Sequence, residues 1–168
     1  MGDINEKKLL IGIVIGIIVA TFAFLGYKVS KEANEFTSFR EELDKDFFPL
    51  LKDTHTYFTT VIEKGESYDL EKWYLLEKGM DDNLKFNKDL KAIRERIVNT
   101  DVKYKDTLEL KKNVLNSLAL IETNLKDINT FYKDSNSNLL WNQLGEEIDK
   151  LNKNVQKQNE ILGKYYEK

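Results

Sequence analysis

The sequence predicts an all-α protein: a single transmembrane helix at the N-terminus, then an up-down-up-down four-helix bundle with coiled-coil-like packing. Three observations carry that expectation. Residues 9–27 form an unbroken apolar run without a charge. Beyond it, apolar residues recur every three or four positions in segments of roughly 30 residues, the spacing of one face of an α-helix. One proline and eight glycines in 168 residues, three of those glycines inside the apolar run, suit long helices and disfavour a β-rich module.

The expected organisation is a short tail at 1–8, a span at 9–27 and one helical module at 28–168. Nineteen residues rising about 1.5 Å each reach roughly 28 Å, close to the roughly 30 Å hydrocarbon core of a bilayer. A cleaved signal peptide competes with this, but it wants a shorter apolar core and a small-x-small cleavage site, whereas Phe24-Leu25-Gly26-Tyr27-Lys28 is bulky. An uncleaved signal-anchor in the cell membrane is therefore expected. No cysteine follows the run, which excludes a lipoprotein, and Glu6 stands where myristoylation of Gly2 requires Ser or Thr. Lys7 and Lys8 before the span are nearly balanced by Lys28, Lys31 and Arg40 after it, so flanking charge does not orient it. Long domains translocate largely regardless of charge, which places the tail inside and the module outside. Within the span, Gly12, Gly16 and Ala20 lie on one small-residue line that permits close helix approach, a candidate homodimer face. Small residues are nonetheless common in such helices whatever they do.

Charged residues make up 33% of the chain yet nearly cancel, at a net −3. Both signs are interleaved, unlike the concentrated basic face of a nucleic-acid-binding protein, so no nucleic acid is expected as partner. Absence of cysteine excludes disulfides and thiolate metal sites and leaves the redox compartment open. The excess of Lys, Asn, Ile and Tyr is what AT-rich codons give, which suggests a bacterial source.

The first module helix is expected to continue out of the span, with Ala33, Phe36, Phe39 and Leu43 in helical phase. Pro49 interrupts it, either as a kink near Asp46, the preferred reading, or as a restart capped by Asp46. Leu50, Thr54, Tyr57 or Phe58, and Val61 resume the pattern, which stops at Gly65-Glu66-Ser67. A second helix opens near Asp69 with the stripe Leu70, Trp73, Leu76, Met80 and Leu84. The following stripe, Phe86, Leu90, Ile93 and Ile97, is out of phase with it near Gly79. A continuous helix with a local irregularity is preferred to two short ones. Asn99-Thr100-Asp101 supplies the next turn, and Asp106 with Glu109 resembles a capping box. The third helix carries Leu108, Lys111, Val114, Leu118, Ile121, Leu125, Ile128 and Tyr132. Residues 134–138, all small and polar, break it. The last helix shows a coiled-coil seam, Trp141, Leu144, Ile148, Leu151, Val155, Gln158, Leu162 and Tyr165. Gln158 is its one polar member, read as belonging to a solvated last turn in preference to a register-setting contact. Intermolecular pairing into an elongated coiled coil is the competing architecture.

Chemistry-bearing patterns are sparse. His55 is the only histidine, so zinc sites, catalytic triads and di-iron bundles lack their residues. Carboxylate pairs such as Glu41-Glu42, Asp81-Asp82 and Glu146-Glu147 are adjacent, and adjacent residues on a helix diverge. No phosphate-binding glycine loop or calcium loop occurs. No enzyme activity, cofactor or metal is expected.

The segment Asp46-Phe47-Phe48-Pro49-Leu50-Leu51 resembles the Asp-Leu-Ile-Pro-Asn-Leu motif of LemA-type bacterial membrane proteins, which are anchored helical bundles. Leu50 replaces the motif's Asn, and the Tyr-Asn that follows the family's anchor is here Tyr27-Lys28. The match covers six residues and implies no function. Chemotaxis receptors offer a similar four-helix architecture, but their sensory domains sit between two spans.

The expectation is thus a structural or protein-interaction module at the cell envelope, with the lipid bilayer and an unidentified protein as partners. The alternative is a ligand-sensing module that signals through the span. Alternating helices would bring Tyr68, Trp73, Tyr74, Phe131, Tyr132 and Trp141 to the membrane-distal end, a candidate partner-binding tip or else a plug for the open end of the core.

Overall fold

The computed structural model describes residues 31–133 and 138–165, and those residues are all-helical. They form a helical bundle: α1 (Lys31–Glu66), a short α2 (Leu70–Lys72), a π-helical segment (Trp73–Glu77), α3 (Gly79–Asn99), α4 (Lys105–Phe131) and α5 (Asn138–Gly163). The tail, the apolar run 9–27 with Gly12, Gly16 and Ala20, and residues 134–137 lie outside the described residues. Among the described residues, no helix is long and apolar enough to cross a membrane.

Side-chain contacts set the direction of each helix. Tyr57 on α1 reaches Gly79 at the start of α3, while Arg96 near its end pairs with Asp46, so α1 and α3 run antiparallel. Asn83 reaches Leu125 and Lys111 reaches Val98, so α3 and α4 do likewise. Asn154 meets Asn113, and Lys164 meets Asp106, which orients α5 against α4; this is the most extensive helix contact. At the two ends of the bundle, Phe36 stacks on Tyr165 at 3.8 Å and Gly65 lies against Trp141, so α5 also flanks α1.

The amphipathic pattern of α1, α4 and α5 maps onto a single core. Phe36, Phe39, Leu43, Leu50, Thr54, Tyr57, Phe58 and Val61 are buried on α1. Val114, Leu118, Ile121, Leu125 and Ile128 are fully enclosed on α4, facing Leu144, Ile148, Leu151 and Val155 of α5. α1 passes through Pro49 as one helix, so Asp46 caps no restarted segment. Proline removes one backbone donor, and burial of Phe47, Leu50 and Leu51 on either side of it holds the helix together.

Several local expectations are corrected. The second helix is not continuous: a π-helical turn at Trp73–Glu77 and a non-helical Lys78, at φ −136° and ψ −4°, separate α2 from α3. The change of phase buries Tyr74 and Asn83 and turns Leu76, Met80 and Leu84 outward, off the stripe assigned to them. On α4 the buried stripe begins with Thr107 and Leu110, and Leu108 is exposed. Nor does Asp106 cap that helix, whose N-cap position is Tyr104. The cap comes from another element, because the Glu35 carboxylate of α1 accepts the backbone N–H groups of Lys103 and Tyr104 at 3.0 Å. Lys111, expected on the stripe, instead donates to the carbonyls of Val98 and Thr100 at the C-terminal end of α3. Finally, Gln158 is 1% exposed: its amide donates to Ser117 Oγ at 2.9 Å and to the Asn113 carbonyl at 3.1 Å. Asn154 donates to the same two acceptors, so the α4–α5 contact contains a buried amide layer where a solvated last turn was expected.

Candidate functional site

The α1–α2 connection, the π-helical segment and the start of α3 form one end of the bundle, to which the end of α4 and the start of α5 also come. α1 stops through two hydrogen bonds, Asp69 N–H to the Lys64 carbonyl and Tyr68 N–H to the Gly65 carbonyl. This is the Schellman pattern, which needs one residue in the left-handed region, usually glycine. Here Tyr68 takes that position, with φ 60°, and its ring is 79% exposed. Gly65, expected as the turn residue, sits inside the helix and serves a different need. A Cβ there would come within 2.0 Å of Trp141 Cζ2, so only glycine lets the indole lie against the α1 backbone.

Beneath this turn the aromatics interlock. The Tyr57 ring meets Trp73 at 5.6 Å and Phe86 at 5.5 Å, and its hydroxyl donates to the Gly79 carbonyl at 3.1 Å. Asn83 Nδ2 donates to the Leu125 carbonyl at 3.0 Å and to the Tyr57 hydroxyl at 3.3 Å. Burial pushes the Tyr57 hydroxyl far above its ordinary pKa, so it stays a neutral donor. Tyr74 stacks on Tyr132 at 4.4 Å and donates to Asn129 Oδ1 at 2.8 Å; burial, reinforced by the Tyr132 phenol, raises its pKa to about 12.

The candidate tip residues therefore occupy different environments. Trp73 and Tyr74 are core, at 2% and 1% exposure, while Tyr132 and Trp141 are half-buried at its edge. Tyr68 alone among the described members projects into solvent; the Phe131 side chain is outside the described residues. Sequence reasoning missed the residues that share this exposure, Leu75, Leu76, Met80 and Leu84. The available signal was the phase break between the stripes on either side of Gly79.

His55, on α1, is half-buried, and its Nε2 is enclosed without a hydrogen-bond partner. Desolvation lowers its pKa, favouring the neutral imidazole. Among the described residues, no group of three His, Asp or Glu side chains is gathered to hold a metal. A cleft between α1 and α3, lined by Glu42, Leu43, Asp46, Phe47, Ile93 and Arg96, encloses about 10 Å³, scarcely room for one water. No family model, curated protein or solved structure matches this chain, so the LemA-type likeness rests on its six residues alone.

Proposed function

We propose that this chain is a single-pass, membrane-anchored structural or protein-interaction module at the cell envelope, without catalytic activity. Residues 9–27 span the bilayer as a signal-anchor, with the tail cytoplasmic and the module outside. The module is an up-down-up-down four-helix bundle with coiled-coil-like packing between α4 and α5, and Gly12, Gly16 and Ala20 offer the span a homodimer face.

One observation carries the choice of an interaction module over a ligand sensor: large apolar groups, Tyr68, Leu76 and Leu84 foremost, stand exposed at the tip. A small-molecule site takes a cavity of a few hundred Å³, far above the α1–α3 cleft. The 36 residues of α1, at about 1.5 Å each, hold the tip roughly 54 Å from Lys31, the described residue nearest the proposed span in the chain. That separation suits contact with a partner away from the bilayer surface.

Alkaline extraction of membranes and protease added to intact cells test this reading together. The chain should stay in the membrane pellet, and external protease should digest the module while sparing a tag on the tail. Release by alkali, or a protected module, overturns it. Leu at both Gly12 and Gly16 should also abolish crosslinking between spans, and unchanged crosslinking removes the homodimer face.

A further inference from the structure

α4 and α5 make the most extensive helix contact of the bundle, and the apolar part of that contact repeats every seven residues. On α4 the buried sets are Val114, Ile121 and Ile128, then Leu118 and Leu125; on α5 they are Leu144 and Leu151, then Ile148 and Val155. A seam of this kind matches itself again after a slip of one heptad, about 10.5 Å along the axis. The connection 132–137 does not forbid such a slip, since six extended residues reach about 20 Å. Three levels of contact nonetheless agree on one register. Asp127 accepts from Gln143 towards the tip, Asn113 and Ser117 meet Asn154 and Gln158 further down, and Asp106 meets Lys164 at the opposite end. The first and last of these are exposed, and exposed polar contacts hold weakly.

The level between them is different. Asn113, Ser117, Asn154 and Gln158 are all buried, and both side-chain amides donate to the same two acceptors, the Asn113 carbonyl and Ser117 Oγ. A slip of one heptad in either direction loses that pair of acceptors. Towards the tip the equivalent positions are Leu120 and Asn124, where the Leu120 carbonyl already accepts the Asn124 amide and Asn124 Oδ1 alone is open. In the other direction they are Asp106 and Leu110, and leucine has no polar side chain. Either slip encloses amide groups without partners, which a buried polar group tolerates poorly, while the apolar residues around them are indifferent to it.

We propose that the layer of Asn113, Ser117, Asn154 and Gln158 is the register-setting device of the bundle, fixing where α5 sits along α4. Through α4 it also seats α5 on α1. Gly65 takes Trp141 at one end and Phe36 stacks on Tyr165 at the other, and both contacts belong to this register alone. One polar layer inside the α4–α5 contact thereby closes the core at both ends. The device lies within the described helices and is independent of the proposed span.

The chain has no cysteine, so introduced pairs report the register without background. Asp127→Cys with Gln143→Cys reads the observed register. Asp127→Cys with Lys150→Cys reads a slip of one heptad towards the tip, and Asp106→Cys with Lys157→Cys reads the opposite slip. The full chain in detergent is treated with a short thiol-to-thiol crosslinker, and links within one chain are separated by mass from links between chains. With the layer intact, only the first pair should crosslink. Adding Asn154→Leu and Gln158→Leu should raise crosslinking of the slipped pairs about tenfold, the factor that one unpaired buried polar group makes in an equilibrium. Ser117→Ala removes one acceptor and should give a smaller rise; its failure to do so overturns the proposal even where the leucine pair does not fold. Leu144→Ala is the control, since it opens a cavity in α5 and should lower the melting temperature with no rise in slipped crosslinks. Slipped pairs that stay at background in the layer variants would leave the ends of α5 in charge of register and overturn the proposal. So would an equal rise in Leu144→Ala, which would mean general loosening, or slipped crosslinks while the layer is intact.

Discussion

Replacing Tyr68 by glycine should stabilise the protein, although it deletes a large aromatic side chain. Tyr68 holds the left-handed position of the turn that ends α1, at φ 60°. For a residue with a Cβ, that conformation costs about 1–2 kcal/mol. Glycine adopts it freely but returns about 0.5–1 kcal/mol through the greater freedom of the unfolded chain. Little else is lost, because the ring is 79% exposed and the two hydrogen bonds of the turn belong to the backbone. The net expectation is a gain of about 0.5–1 kcal/mol, or roughly 1–4 °C in melting temperature for a domain of this size. Tyr68→Ala is the control, since it removes the same ring but keeps a Cβ and therefore the strain. Urea unfolding by linear extrapolation, with equal slopes for the three proteins, measures the difference. If glycine is no more stable than alanine, the backbone strain is not there. If alanine is less stable than wild type by more than about 1 kcal/mol, the ring packs against something and its exposure is not real.

Tyr74 should behave in the opposite way: Tyr74→Ala should cost about 3–5 kcal/mol as a buried aromatic truncation, whereas Tyr74→Phe should cost about 1 kcal/mol for the bond to Asn129. A mild alanine variant by urea titration would place Tyr74 at the surface. In the amide layer, Asn154 and Gln158 donate to the same acceptors, so each single change to leucine leaves one donor in place. The double change should therefore cost more than the sum of the singles, and an additive double-mutant cycle would refute a shared layer. For pH, His55 has a folded-state pKa below its ordinary 6.5, so the unfolded chain takes up the proton first and stability falls as pH drops below about 6.5. Glu35 adds a second loss below its ordinary 4.5: desolvation opposes ionisation, but the N–H groups of Tyr104 and Lys103 outweigh it and hold the carboxyl low. His55→Gln should flatten the first step of a melting-temperature profile and leave the second, and an unchanged profile would refute the assignment.

The sequence by itself determined the helical class, the chain of four long amphipathic segments and most of their buried faces. Those features follow from local periodicity: on α1, α4 and α5 the three-to-four spacing of large apolar residues leaves one face to bury. The tertiary structure decided what periodicity cannot encode. Leu70 to Leu84 reads as one stripe only if the helix keeps 3.6 residues per turn, and the π-helical turn at Trp73–Glu77 breaks that premise. The turn buries Trp73 and Tyr74 and leaves Leu76, Met80 and Leu84 outside, so this end of the bundle exposes other residues than the periodicity assigned to it. Gln158 and Gly65 were legible as exceptions in helical patterns, but their roles depend on partners far away in sequence, Asn113 with Ser117 and Trp141. Glu35 capping α4 is of the same kind, because only the folded bundle brings that carboxylate to the backbone of Lys103 and Tyr104. A polar or glycine residue is a local fact, whereas the group that satisfies it is chosen by the packing of helices against one another.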